Sequence, residues 1–237
     1  ALAFTRTIEV DARGLMFTIT DQVANHGAAP VTLTHYGSVT RQGVPDELGR
    51  NSIVHEGAIG YLAGQLQLLK YTDWKKKPLV EFPKDATALT TGGWLGITDK
   101  YWMAALIPAQ TRQIHATATA NNQQGVDVRS FGYAATADVI GPGRMVTETT
   151  RMFAGAKTVP VLRDYRDTLG IPLFDWAVDW GNFNLITRPM FGLLEFLFHY
   201  IGNFGLAILA LTVVVKVVFF PLANKSYESL TRMKKVQ

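Results

Sequence analysis

The sequence predicts a mainly β, antiparallel domain, a sandwich or a barrel, followed by an amphipathic helix and a single transmembrane helix. Three observations predict it. Residues 4–160 carry many short segments that alternate apolar and polar residues between turn signals. Residues 157–201 change to a charged stretch and then an aromatic-rich, helix-patterned one. Between Phe204 and Leu222, of nineteen residues only Thr212, Lys216 and Pro221 are neither apolar nor glycine.

The β elements follow in order. Phe17, Ile19 and Val23 alternate with Thr18, Thr20 and Gln22, and NHGAAP supplies the turn after them. Val31–Arg41 alternates again, with Val31, Leu33, His35 and Gly37 on one face. Gly92–Thr98, Tyr101–Ile107, Arg112–Thr119, Gly125–Tyr133 and Met145–Ala154 are further short strands, each bounded by Gly, Pro, Asn or Asp. Short strands so closely spaced indicate antiparallel pairing rather than βαβ units. GVPDELGRNS and AGAKTVP have turn chemistry. Asn51–Ala88 is less regular. Its Lys75–Lys77 patch lies beside Tyr71 and Trp74, but the three lysines run into Pro78 with Asp73, Glu81 and Asp85 nearby. That pattern predicts a solvated hairpin rather than a nucleic-acid site.

The β domain is therefore assigned to residues 1–160, and a linker with a short helix around Leu162–Asp167 to 161–187. An amphipathic helix follows at 188–201, with Pro189 at its first position. Phe191, Leu194, Leu197 and Phe198 share one face, and Glu195 and His199 lie on another. About a dozen residues are too few to span a bilayer. Flanking aromatics and the adjoining span place this helix in the membrane interface; docking on the β domain is the alternative.

Residues 202–222 form the span. At about 1.5 Å per residue, Phe204–Leu222 covers roughly 28 Å, close to the hydrocarbon thickness of a bilayer. Lys216 is the unusual residue. Its long stem can carry the ammonium to the headgroups, or it can face protein or water inside the membrane. Thr212 stands one turn earlier on the same face. After the span, residues 223–237 carry Lys225, Arg232, Lys234 and Lys235 against Glu228. Asp175–Ile201 has Arg188 as its one Lys or Arg. That bias predicts a cytoplasmic tail and an extracytoplasmic β domain. The tail has the pattern of a helix that continues, and the chain reads as a piece of a longer polypeptide.

Whole-chain composition narrows the chemistry. With 237 residues and no cysteine, disulfides and thiol catalysis are out. The histidines at 26, 35, 55, 115 and 199 have no metal-ligand spacing. There is no GxSxG, no phosphate loop and no GxGxxG after a strand. Carboxylates such as Glu56, Asp99, Asp127 and Asp138 are scattered, so neither an enzyme nor a cofactor is expected.

The run PMFGLLEFLFHYIGNFGLAILALTVVVKVVFFPLANKSYESLTRMKKVQ resembles the Oxa/Alb superfamily of membrane protein insertases. GGWLGITDKYWMAALIP and LFDWAVDWGNFNLITRP are similar to segments of the large periplasmic domain of its Gram-negative members. The resemblance implies a periplasmic β-supersandwich after a first span, and five further spans whose groove opens to cytoplasm and lipid. It places Lys216 where bacterial members usually carry an arginine in that groove; the charge is kept, the guanidinium fork is not. It implies nascent membrane proteins and the lipid bilayer as partners. It also implies the Sec translocon components SecYEG, SecD and SecF, and the ribosome through cytoplasmic parts outside this chain. The competing expectation is a membrane-anchored carbohydrate-binding or mutarotase-like periplasmic protein.

Overall fold

The computed structural model describes residues 1–45, 54–82 and 89–234. They belong to two compact units, Ala1–Asp179 and Trp180–Gln237.

The first unit carries the strands β1 (Leu2–Val10), β2 (Met16–Asn25), β3 (Val31–Leu33), β4 (Tyr36–Gln42), β5 (Gly57–Leu62), β6 (Gln65–Lys70), β7 (Leu79–Phe82) and β8 (Thr90–Thr91). After them come β9 (Trp94–Thr98), β10 (Trp102–Ile107), β11 (Gln113–Gln123), β12 (Val126–Ala135), β13 (Asp138–Ile140) and β14 (Met145–Ala156). The described pairings are antiparallel. One sheet has seven strands in the order β1-β2-β14-β10-β9-β5-β6. A second has β4-β12-β11-β7 with β8 beside β11, and β3 pairs with β13. The fold class expected from the sequence is the one found.

Period-2 patterning explains how the sheets stack. Along β11, Ile114, Ala116, Ala118 and Ala120 are buried while His115, Thr117 and Thr119 are half-buried. These small residues meet Phe131 and Tyr133 of β12, and Leu95, Ile97 and Leu106 of the seven-stranded sheet, in the core between the sheets. The seven-stranded sheet has a second apolar face. Ile59, Trp94, Met103, Ala105, Ile107 and Phe153 alternate with the first set and form another core.

What covers that second face corrects the expected linker. Helix α1 is Tyr71–Lys76, and α2, Val159–Leu169, is followed by a 3-10 turn at Phe174–Ala177. Leu162, Tyr165, Ile171 and Phe174 pack on the outer face of the sheet, so residues 161–179 are a layer of the domain. The Trp94 indole N–H donates to the Pro172 carbonyl (2.8 Å), fixing the turn on the sheet. Trp94, Phe153 and Phe174 meet edge to face, with centroids 5.2–5.6 Å apart.

Other expectations shift for identifiable reasons. The run Val31–Arg41 is two strands, because the chain leaves β3 at Thr34–His35 and enters β4 in a different sheet. Lys75–Lys77 follow no hairpin; α1 seats Tyr71 and Trp74 in the core and leaves the lysines in solvent. The irregular middle supplies β5, whose residues are buried on both faces and so do not alternate. GVPDELGRNS lies largely outside the described residues.

At one end of the seven-stranded sheet the chain closes on a polar cluster. The His55 backbone N–H donates to the Asp179 carboxylate (2.8 Å), and the His55 ring nitrogen Nε2 pairs with the Ala58 carbonyl (2.9 Å). Lys157 Nζ donates to Thr98 Oγ1 (2.8 Å). Burial holds the His55 imidazole below its ordinary value and also lowers Lys157.

Two predictions follow from this packing. A Cβ on Gly96 would strike the Ala104 carbonyl oxygen and lie 2.6 Å from the Ala105 Cα. Gly96→Ala therefore destabilises the β domain by about 1–3 kcal/mol, read from its denaturant midpoint. Because folded His55 resists protonation, the unfolded chain takes up its proton first on acidification. Stability thus falls as pH drops below the ordinary histidine value of about 6.5, by at most about 1.4 kcal/mol per pH unit from this residue. In His55→Gln that part of the slope disappears, as measured by chemical denaturation between neutral and mildly acidic pH.

Candidate functional site

The second unit is a pair of helices, α3 (Asn184–Ile201) and α4 (Phe204–Lys234), packed on each other. Their junction follows from two residues. Gly202 takes the left-handed conformation (φ 71°) that ends α3, and its N–H donates to the Phe198 carbonyl (2.8 Å). Asn203 caps α4, its Oδ1 accepting the Leu206 N–H (3.1 Å).

Helix α3 begins five residues before the expected first-turn proline, so Pro189 lies inside it. The Thr187 hydroxyl donates to the Trp180 carbonyl (2.8 Å), and Trp180 meets Phe191 edge-on at 5.6 Å with the Arg188 guanidinium over its indole. The tight aromatic and cation–π contacts at the start of the helix supply the order that a proline at N1 would have given. Phe191, Leu194 and Leu197 are half-buried, while Phe198 is exposed and meets Phe204 at 5.6 Å. No residue of α3 is fully buried. Phe191, Leu194 and Leu197 are thus partly covered, and Phe198 stays open.

Helix α4 runs unbroken through Pro221 and past residue 222, the expected end of the span. Its segment Phe204–Pro221 is long and apolar enough to cross a membrane. Within that segment Ala207 alone is buried, and Ala210, Leu211 and Val215 are half-buried, which marks the face turned to α3. Thr212 and Lys216 are exposed and stand one residue round the helix from Leu211 and Val215. At 100° per residue Thr212 lies about 140° and Lys216 about 180° round the helix from Ala207, so this polar stripe is on the side turned away from α3. The Thr212 hydroxyl donates to the Ile208 carbonyl (2.9 Å) and so is already satisfied within its own helix. Lys216 makes no ion pair among the described residues. It stands about 18 Å along the axis from Phe204 and about 7.5 Å from Pro221 by helical rise.

The β domain has a candidate site that sequence reading did not find. A cleft of 710 Å³ opens over β1, β2 and β14, walled by Leu33–Tyr36 and Asp138. Register explains its floor. Phe4, Val23 and Val146 line up across three strands, and Arg6, Asp21 and Glu148 form the next row. Arg6 grips Asp21 through two bonds of 2.6 and 2.8 Å, which holds that carboxyl below the usual carboxylate range. His35 Nε2 lies 3.3 Å from the same carboxylate, and its Nδ1 3.3 Å from the Tyr133 hydroxyl. Arg112 pairs with Asp138 and approaches Glu148 (3.9 Å). Burial pushes the Tyr133 phenol up to about 12. Asp21 is held by Arg6 and Asp138 by Arg112, an arrangement suited to binding polar groups. Among the described residues no group of three or more metal-ligating side chains assembles.

Comparison with known proteins agrees with both units. Residues 1–193 match the YidC periplasmic domain and residues 196–237 match the 60Kd inner membrane protein family. The membrane protein insertase YidC of Caulobacter vibrioides (strain NA1000 / CB15N) is 49% identical over 255 residues, covering 99% of this chain and 40% of its own length. The Rhizobium etli protein of the same name is 46% identical over 237 residues, covering 100% and 38%. The Nitrobacter hamburgensis one is 45% identical over 245 residues, covering 100% and 39%. The chain thus spans roughly two fifths of the length of the curated relatives it matches. With a periplasmic-domain match over 193 residues and near-complete coverage by insertases of one name, the chain belongs to the YidC family.

Proposed function

We propose that this chain is the periplasmic domain and first core span of a membrane protein insertase, which moves nascent inner-membrane proteins into the bilayer. In this reading α4 crosses the inner membrane, the β domain lies in the periplasm, and the tail after Pro221 lies in the cytoplasm with its basic residues. Helix α3 lies in the periplasmic interface, its open Phe198 and Phe196 in contact with lipid.

The single observation that carries the mechanism is the Thr212–Lys216 stripe, exposed on the side of α4 turned away from α3. A cation at that depth is expensive in hydrocarbon and is stable beside water or protein. Further helices of the full-length protein, packed against this side of α4, would enclose a wet groove open to the cytoplasm. The Lys216 ammonium then offers a transient partner to acidic residues of a segment on its way across, where an unpaired carboxylate would meet a large desolvation cost. The client's apolar segment leaves sideways into lipid, and the scheme needs no nucleotide. Thr212, bonded to Ile208, contributes polarity to the wall rather than a free donor. Cooperation with SecYEG, SecD and SecF, and with the ribosome, belongs to the same proposal through surfaces of the whole protein.

In the full-length protein, Lys216→Ala slows insertion of a client with an acidic periplasmic tail by about tenfold, the equivalent of about 1.4 kcal/mol for one partly desolvated charge pair. Lys216→Arg retains activity, and a client with a neutral tail is barely affected. Protease protection of the client's tail in cells depleted of the wild-type protein measures this. Full insertion of the acidic-tailed client by Lys216→Ala would remove the groove role.

A further inference from the structure

One end of the β domain gathers features that neither the groove nor the cleft uses. The register of the seven-stranded sheet pairs Gly57 with Lys70 and Thr98, and Met103 with Thr98 and Gly155. The turn Asp99–Lys100–Tyr101, the β6–α1 junction and Lys157 therefore share this end. The Lys157 N–H donates to the Tyr101 carbonyl (3.0 Å), and the Tyr71 hydroxyl donates to Asp99 (3.0 Å), which holds α1 and its lysines beside the turn.

Two large aromatics stand in solvent here, Tyr101 at 65% and Trp102 at 63% exposed. Neither joins a core cluster, although the adjoining Met103 is buried. The acids at this end are engaged: Asp99 pairs with Arg41 (2.9 Å), Asp73 lies 3.7 Å from Lys76, and Asp179 accepts the His55 N–H. Lys75, Lys77 and Lys100 are exposed and form no ion pair among the described residues. The surface is therefore basic and aromatic together, the composition of a membrane–water interface.

Chain length supplies the second argument. Asp179 is pinned at this same end, and α3 starts at Asn184. Five residues reach at most about 18 Å. If α3 lies in the interface and α4 crosses the bilayer, this end of the β domain is held within that reach of the headgroups.

We propose that the end of the β domain bearing Lys75, Lys77, Lys100, Tyr101 and Trp102 docks on the surface of an anionic phospholipid bilayer. The lysines meet headgroup phosphates and the two rings lie at headgroup depth. The inference rests on the span reading of α4. Docking would fix the orientation of the cleft over the membrane, where a free tether would leave it to rotate.

The test uses the whole chain, which has no cysteine to remove. Thr72→Cys, Ala29→Cys and Val213→Cys are each labelled with a fluorophore and reconstituted into nanodiscs of phosphatidylcholine alone or with phosphatidylglycerol. Val213 reports the span, Thr72 the proposed docking end, and Ala29 the far end. The expected result is Thr72 label quenched by headgroup-borne nitroxide and shielded from aqueous iodide, with phosphatidylglycerol and low salt required. Ala29 stays open to iodide throughout. Replacing Lys75, Lys77 and Lys100 by Ala lowers the anionic-lipid effect about tenfold or more, since each lysine near such a surface is worth about fivefold in partition. A lipid-buried Val213 label with a Thr72 label as open as Ala29 overturns docking and leaves the span reading standing. An aqueous Val213 label overturns both. Thr72 shielded from iodide but untouched by the lipid quencher assigns the surface to a protein contact and overturns the lipid proposal.

Discussion

The first unit depends on a seven-stranded sheet that is apolar on both faces. In β5, Ala58 and Leu62 point into the core between the sheets, while Ile59 and Tyr61 point the other way. Trp94 and Leu95 divide in the same manner along β9. Fully burying one such side chain contributes about 1.5–3 kcal/mol, so neither face can be left open without a large loss. One face is covered by the second sheet. The other requires α2 and the 3-10 turn, and that requirement draws the chain up to Asp179 into the domain.

A mismatch of widths produces the cleft. The second sheet covers the central strands but not the edge strand β1, so Phe4 and Ile8 remain 68% and 57% exposed beside the Arg6–Asp21 pair. Charges on an exposed edge also discourage pairing with a second copy, and Arg6 and Glu9 lie on this one. The cleft's polarity is thus compatible with both edge protection and recognition. Its Asp21 and Asp138 carboxylates each pair with a guanidinium, of Arg6 and Arg112.

The second unit obeys a different solvent. Val213, Val217, Phe219 and Phe220 are 57–69% exposed on one helix, a surface that water would not tolerate and hydrocarbon accepts. In that medium Lys216 is the exception. A snorkelling lysine needs only distance to the headgroups. A groove lysine also needs a neighbouring wall, and α3 leaves its side of α4 uncovered.

The span and the one-sided strands such as β11 and β14 were legible because each is a local pattern: an unbroken apolar run or a period of two. The same logic misread residues buried on both sides or held by distant partners. Strand β5 shows no alternation because both faces are covered, and the charged helix around Leu162 reads as a linker because its arginines and aspartates dominate the stretch while its Val159, Leu162 and Tyr165 are buried by partners distant in sequence. The cleft and the lysine-rich end arise from register among strands far apart in sequence, such as Arg6 with Asp21 and Glu148, or Tyr71 with Asp99. The sequence by itself determined that this chain has an antiparallel β part and one membrane-crossing helix carrying a cation. Tertiary structure alone decided what surrounds them, because which distant residues become neighbours is set by strand pairing, and pairing leaves no periodic mark on either partner.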